Sequence, residues 1–298
     1  MSPHSALATI LFAGLTGCAS PPAANATPVE TGRVVAVGDL HADLDNALAA
    51  LRLGGVVDER GSWAAGTATF VQTGDITDRG PDSKALIELM QRLEGEAATA
   101  GGRVIALLGN HEAMNLTGDW RYVHPGDVTA FGGQAQRKAA LAATGDAGRW
   151  LRDRDAVVRV QDTVFAHGGV HPAIAKMGIE RINQGIRDSL DNKADPRLTT
   201  ILLGVKGPLW YRGYVEDPEA EACPRLSQAL TALDAKRMVV GHTTRRDGRI
   251  QVRCEGRLHV IDIGIADHYG GHLGAWTSAA GDARARYPDG DRDLRDPA

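Results

Sequence analysis

Concentrated positive charge, long hydrophobic runs and cysteine are all scarce in this chain of 298 residues. Its 33 basic and 37 acidic residues are dispersed and leave a net charge of −4. No basic stripe is available to neutralise a phosphate backbone, which argues against nucleic acid as a partner. The one uncharged apolar stretch near the start, residues 5–17, is too short to span a bilayer as a stable helix. Three cysteines, Cys18, Cys223 and Cys254, provide no set of thiolates for a structural zinc finger. There is no internal repeat, and no low-complexity tract beyond a short stretch near the start and a charged tail. What is present, 43% hydrophobic and 23% charged residues with 36 glycines, describes a globular fold with a sizeable core.

The beginning of the chain reads as a leader. The apolar stretch ends at Leu15-Thr16-Gly17-Cys18, which resembles a bacterial lipobox, although no Lys or Arg occurs among the first four residues. Residues 1–17 are therefore expected to be a lipoprotein-type signal peptide, with cleavage before Cys18 and lipid attached to its sulfur. Residues 18–32, rich in Pro, Ala, Thr and Asn, read as a flexible tether, and residues 33–298 as a single catalytic domain. Ala19 after the cysteine suggests the outer membrane, facing the periplasm. In such an oxidising compartment Cys223 and Cys254 could form a disulfide, closing a loop worth about 3–4 kcal/mol, or remain two thiols. Spacing alone does not choose between these.

Within the domain a strand, a turn and a helix recur. Arg33 to Leu40 is a short β-branched apolar run ending in Gly-Asp, and the stretch after it places Leu44, Ala47, Leu48 and Leu51 at helical spacing. Thr67 to Thr73 leads to Gly74-Asp75, followed by Leu86, Ile87, Leu89, Met90 and Leu93 on one helical face. Arg103 to Leu108 leads to Gly109-Asn110-His111-Glu112. Later strands end at His167 and His242, separated by a polar helical insertion over residues 172–236, and closing strands follow at 250–254, 258–263 and 272–278. This alternation predicts an α/β fold with a largely parallel core sheet and function at the carboxyl ends of its strands. The residues from Asp282 onward mix Asp, Arg and Pro, and their end is expected to fray.

The chemistry-bearing residues fall at those strand ends: Asp39, His41, Asp75, Asn110, His167 and His242. One aspartate after a strand is usually a helix cap, and one histidine is usually a satisfied core or surface residue. Six at consecutive strand ends are the donors that two closely spaced divalent ions require, and carboxylate with imidazole suits Mn, Fe or Zn.

The motifs Gly38-Asp39-Leu40-His41, Gly74-Asp75-Ile76-Thr77-Asp78-Arg79-Gly80, Gly109-Asn110-His111-Glu112, His167-Gly168-Gly169 and Gly241-His242-Thr243 resemble those of calcineurin-like metallophosphoesterases. Within these they are similar to the phosphoprotein phosphatases. His-Gly-Gly, together with Asn115-Leu116-Thr117-Gly118-Asp119-Trp120-Arg121-Tyr122, resembles the Shewanella-like bacterial branch. A single His before Thr243 and Thr244 separates the chain from nucleases and nucleotidases, and Ala42 replaces the Gly usual after the first-motif His.

The resemblance implies a sandwich of two mixed β-sheets flanked by helices, with helical insertions. It also implies Asp39, His41 and Asp75 at one metal, and Asp75, Asn110, His167 and His242 at the other. A hydroxide shared by the two ions would be the nucleophile, His111 the general acid and Asp78 its partner. Arg79, Asn110 and Arg212 would bind the phosphoryl group. Trp210 and Tyr211 are candidates to line the pocket, and Asp262 to support a ligand from behind. The expected substrate is a phosphoprotein, with a lean toward phosphotyrosine, or a small phosphomonoester. A dinucleoside polyphosphate hydrolase is the rival enzyme. An inactive anchored binding protein would have lost a ligand or His111, and none is lost.

Overall fold

A computed structural model describes residues 32–294, besides Met1; the signal-peptide reading, Cys18 and nearly all of the tether lie outside the described residues. The elements of the first half are β1 (Val34–Val37), α1 (Leu44–Gly54), β2 (Thr69–Gln72), α2 (Ser83–Thr99), β3 (Arg103–Ala106), α3 (Asn110–Thr117), α4 (Pro125–Ala130), α5 (Gln134–Leu141) and α6 (Asp146–Arg152). After them come β4 (Val157–Val160), β5 (Thr163–Ala166), α7 (Pro172–Ala175), α8 (Ile179–Leu190), α9 (Pro196–Leu202), α10 (Gly213–Glu216) and α11 (Glu219–Ala232). The chain closes with β6 (Arg237–Val240), β7 (Gln251–Arg253), β8 (Leu258–Val260), β9 (Ala275–Ala279), β10 (Asp282–Arg286) and β11 (Arg292–Asp293).

These strands build the two mixed sheets that the family resemblance implies, rather than the one largely parallel sheet that the strand-helix alternation predicts, in the orders β11-β10-β9-β1-β2-β3 and β4-β5-β6-β8-β7. Each is parallel only in part: β1 pairs parallel with β2, and β2 with β3, while β9 joins β1 antiparallel. In the second, β5-β6-β8 is parallel and both edges are antiparallel. The strand-helix repeat foretold the parallel centres, but only pairing between distant segments divides them into two layers. The sheets meet face to face where Trp276 of β9 packs on Phe165 of β5, ring centroids 5.5 Å apart, and its indole N–H donates to His259 of β8 at 2.7 Å. A continuous core of Val, Ile and Leu fills the layer between them.

Helix α1 shows how local chemistry sets the edges. The Asp43 carboxylate accepts the Asn46 amide at its start, and Gly55 takes the left-handed conformation at its end (φ 65°). Ala47, Ala50 and Leu51 form its buried face, which packs on β1 and β9. The charged tail from Asp282 begins as the hairpin partner of β9, with Ala283 and Ala285 turned inward, and its end, where fraying is expected, lies outside the described residues. The alternation Asp-Ala-Arg-Ala-Arg has the strand period, but its residue types have weak β-propensity.

Cys223 of α11 and Cys254 after β7 are disulfide-bonded, Cα atoms 5.3 Å apart, which resolves the alternative left open by spacing. At the amino ends of the strands, the Gly32 carbonyl accepts a hydrogen bond from Gln161 in the β4–β5 turn. No described helix is long and apolar enough to cross a membrane.

Candidate active site

All six expected donors converge at the carboxyl ends of β1, β2, β5 and β6 and the start of α3, each at most 5% exposed. Their backbone is unusual. Of the twelve described non-glycine residues with positive φ, six are His41, Ala42, Asp75, Asp78, Arg79 and His242. A left-handed L-residue costs roughly 1–2 kcal/mol, so strain is gathered where the chain must turn sharply to aim these groups.

The hub is Asp75. Its Oδ1 accepts the backbone N–H of His111 at 3.0 Å, leaving Oδ2 to face three imidazoles. His167 Nε2 is 3.3 Å away, His41 Nε2 3.7 Å and His111 Nε2 3.8 Å. The far nitrogens of His41 and His167 are tied to backbone carbonyls, Nδ1 of His41 to Thr77 at 3.3 Å and Nδ1 of His167 to Thr73 at 2.9 Å. Those bonds place the proton on Nδ1 and leave an Nε2 lone pair pointing inward. Asn110 Oδ1 lies 2.9 Å from His167 Nε2, and Asp39 Oδ2 lies 3.8 Å from His41 Nε2.

This donor set fits a pair of divalent cations. Asp75 belongs to two compact donor groups, one with His41 and His111, the other with His167 and His242. His242 Nε2 is buried with no hydrogen-bond partner, an orphan that a cation would satisfy. Burial pushes the His41 imidazole down to about 3 and holds His242 well below its ordinary value, so both are neutral, the ligating form. Burial, then the neighbouring Asp262 and Asp75, raises Asp39 well above the usual carboxylate range. Crowded buried carboxylates of this kind are what a cation relieves. Asp262, expected to support a ligand, makes no hydrogen bond to Asp39 among the described residues and acts on it through its charge. Burial pushes its carboxyl up to about 6, and it accepts the Gly264 amide at 3.1 Å.

Beside the donors, Asp78 Oδ2 bonds to His111 Nδ1 at 2.8 Å. Burial alone would lower the His111 imidazole, but the Asp75 and Asp78 carboxylates outweigh it and the net shift is upward. The mouth is a cleft of about 180 Å³ lined by His111, Arg79 and Arg212, with Tyr122, Trp210 and Tyr269 as aromatic walls. Arg79 stacks on Tyr122, its guanidinium carbon 3.9 Å from the ring centre. Arg212 is held by the His242 carbonyl at 2.7 Å and the Thr243 hydroxyl at 3.1 Å. Tyr211, a candidate lining residue, packs in the core against Tyr214 instead, centroids 4.8 Å apart. A larger cleft of about 720 Å³, lined by Arg159, Leu230 and Lys236 at the opposite strand ends, gathers no comparable groups.

Several working residues were not singled out from the sequence. Glu112 is fully buried and accepts from the amides of Asp75 and Gly109 at 2.8 Å, and from Thr77 N at 2.9 Å and Oγ1 at 2.8 Å. It closes the Gly109-Asn110-His111-Glu112 motif and stands three residues after the cap of α3, a capping-box position, but neither signal assigned it a role. A Cβ on Gly109 would fall 2.2 Å from Asp75 Oδ1, so no larger residue fits there. Tyr269 places its ring 4.7 Å from that of His41 and carries no motif signal at all.

Fold and site together define a metal-dependent phosphoester hydrolase: the chain belongs to the calcineurin-like phosphoesterase family, whose model matches residues 32–246. Among its relatives, an uncharacterised protein of Schizosaccharomyces pombe is 38% identical over 249 residues, 80% of this chain and 74% of that one. Shewanella-like protein phosphatase 2 of Arabidopsis thaliana is 30% identical over 280 residues, 78% of this chain and 71% of that one. The crystal structure of a cold-active protein-tyrosine phosphatase from a psychrophilic Shewanella superposes with a TM-score of 0.78 at 28% identity, covering 89% of this chain and 80% of that one.

Proposed function

We propose that this chain is a protein phosphatase with a preference for phosphotyrosine and other aryl phosphates. The observation that carries the reading is the narrow cleft in which His111, backed by Asp78, and two arginines face the Asp75 cluster between three aromatic walls. Its kinship with named phosphatases supports the same conclusion.

Asp39, His41 and Asp75 would hold one divalent ion, and Asp75, Asn110, His167 and His242 the second, with Mn, Fe or Zn suited to these donors. Bound there, the pair would supply an activated water and neutralise phosphoryl charge. The chain's own groups do the rest. Arg79, braced by Tyr122, and Arg212, braced by His242 and Thr243, present N–H groups to the equatorial phosphoryl oxygens, with Asn110 beside them. His111 donates from Nε2 to the leaving oxygen while Asp78 holds its Nδ1–H. Tyr122, Trp210 and Tyr269 flank a planar leaving group and shield it from bulk solvent.

Export with a lipid on Cys18 is part of the proposal, and the Cys223–Cys254 disulfide supports an oxidising compartment. The test is hydrolysis of para-nitrophenyl phosphate, a phosphotyrosine peptide and a dinucleoside polyphosphate by metal-stripped protein, with and without Mn. Metal-dependent release from the peptide is expected. Turnover confined to the dinucleotide would overturn the assignment.

A further inference from the structure

Arg137, on α5, is wholly buried, yet no motif contains it and nothing above uses it. Its Nε donates to Asp127 Oδ2 at 2.8 Å, and Nη2 donates to Asn115 Oδ1 at 2.8 Å. Asn115 Nδ2 in turn donates to Asp78 Oδ1 at 2.9 Å, and Asp78 Oδ2 bonds to His111 Nδ1 at 2.8 Å. Trp120 and Phe131 enclose the guanidinium, ring centres 5.1 and 5.6 Å away. Asp127 balances the buried charge at close range and Asp78 Oδ1 lies 3.9 Å from Nη2, so the hydrogen bond to the neutral Asn115 calls for a different reason.

That reason lies in what the groups can donate. A carboxamide is nearly symmetric in shape and can turn over, showing Asp78 either its oxygen or its N–H₂. Guanidinium has only donors, so Arg137 captures the oxygen of Asn115 and, together with the His111 carbonyl that accepts from Asn115 Nδ2 at 2.9 Å, obliges the N–H₂ to face Asp78. Asp78 itself sits at φ 69°, a strained conformation that needs such an anchor. Resting on the phosphatase reading above, we infer that Arg137 is a positioning residue that acts through Asn115 and Asp78 to aim the His111 proton at the leaving group.

The demand for that proton rises with the basicity of the leaving group, which supplies a test that a merely structural residue would not pass. Steady-state kinetics with Mn are measured on para-nitrophenyl, phenyl and para-methylphenyl phosphate. The proteins are wild type, His111→Ala, Arg137→Lys, Asn115→Ala and the double variant Arg137→Met with Asp127→Asn, which neutralises both buried charges. His111→Ala should lose kcat most steeply on the poorest leaving group, by about 10²-fold or more. The Arg137 and Asn115 variants should follow the same slope less steeply, losing about 10-fold or more in kcat on para-methylphenyl phosphate and little on para-nitrophenyl phosphate, at nearly constant KM. Arg137→Lys should fall between wild type and the double variant. Asn115→Ala keeps the Arg137–Asp127 pair intact, so the comparison survives if the double variant misfolds. An equal loss on all three esters, or none, overturns the inference. A wild-type protein inert on all three overturns the phosphatase reading itself.

Discussion

Replacing Glu112 by Gln removes one charge and almost no volume, so it isolates what the carboxylate does. One oxygen accepts the amides of Asp75 and Gly109, and the other accepts the amide and hydroxyl of Thr77. A glutamine can turn its oxygen to the first pair only by presenting N–H₂ to the second. The Thr77 hydroxyl can rotate to accept, but the Thr77 amide is orphaned, at about 1–3 kcal/mol. The two surviving bonds lose their charge assistance, roughly another 1 kcal/mol each. Burial, and then Asp75, raise the Glu112 carboxyl above its usual range, and removing a costly buried charge returns part of this loss. The net expectation is a destabilisation of about 2–4 kcal/mol in metal-free denaturant unfolding. Because Glu112 ties the Asp75 loop to the His111 turn, a shift of about 1 Å should also lower kcat by about 10²-fold. A variant within about 1 kcal/mol of wild type whose Mn affinity and kcat are unchanged would refute the bracing role.

Three further outcomes follow from the same geometry. Chelation should lower the melting temperature, since ions at 1,000 times their dissociation constant stabilise by about 4 kcal/mol; calorimetry of Asp75→Asn should show no such gain on adding Mn. Reducing the Cys223–Cys254 bond should cost about 3–4 kcal/mol in stability and raise KM more than it lowers kcat. The link to KM is Arg253, next to the disulfide, which donates to the Tyr214 and Asp217 carbonyls at 2.6 and 2.7 Å, just beyond Arg212; an unchanged KM would disconnect the two. Ala42→Gly should change stability by less than about 1 kcal/mol. Relief of its left-handed φ of 54° is offset by the lost buried methyl and a more flexible unfolded chain, and equilibrium unfolding measures the balance.

The metal donors were legible because each one ends an apolar strand, a local pattern that survives in one dimension. Asp78, His111 and Arg79 were legible through the motifs that contain them. Arg137 and Tyr269 were not, since they reach the site only through tertiary packing, from α5 and from the loop before β9. The division into two sheets was equally hidden from periodicity, because it depends on β9 returning to β1 across most of the chain. Pairing with β9 likewise ordered β10, whose alanines and arginines argue weakly for a strand.

The hydrogen bond between Gln161 and Gly32 holds the start of the described domain at the amino ends of the strands, and the cleft opens at their carboxyl ends. If Cys18 is the attachment point, residues 18–31 drawn out straight cover at most about 50 Å. A folded unit of this size is roughly 45 Å across, so nearly the whole leash is used before the mouth can be brought around to its own leaflet. A phosphatase hung this way would patrol the space above the surface that held it. With such an anchor, phosphoproteins that diffuse past or project from a facing surface would be within its range, whereas headgroups beneath the attachment point would be the least accessible targets.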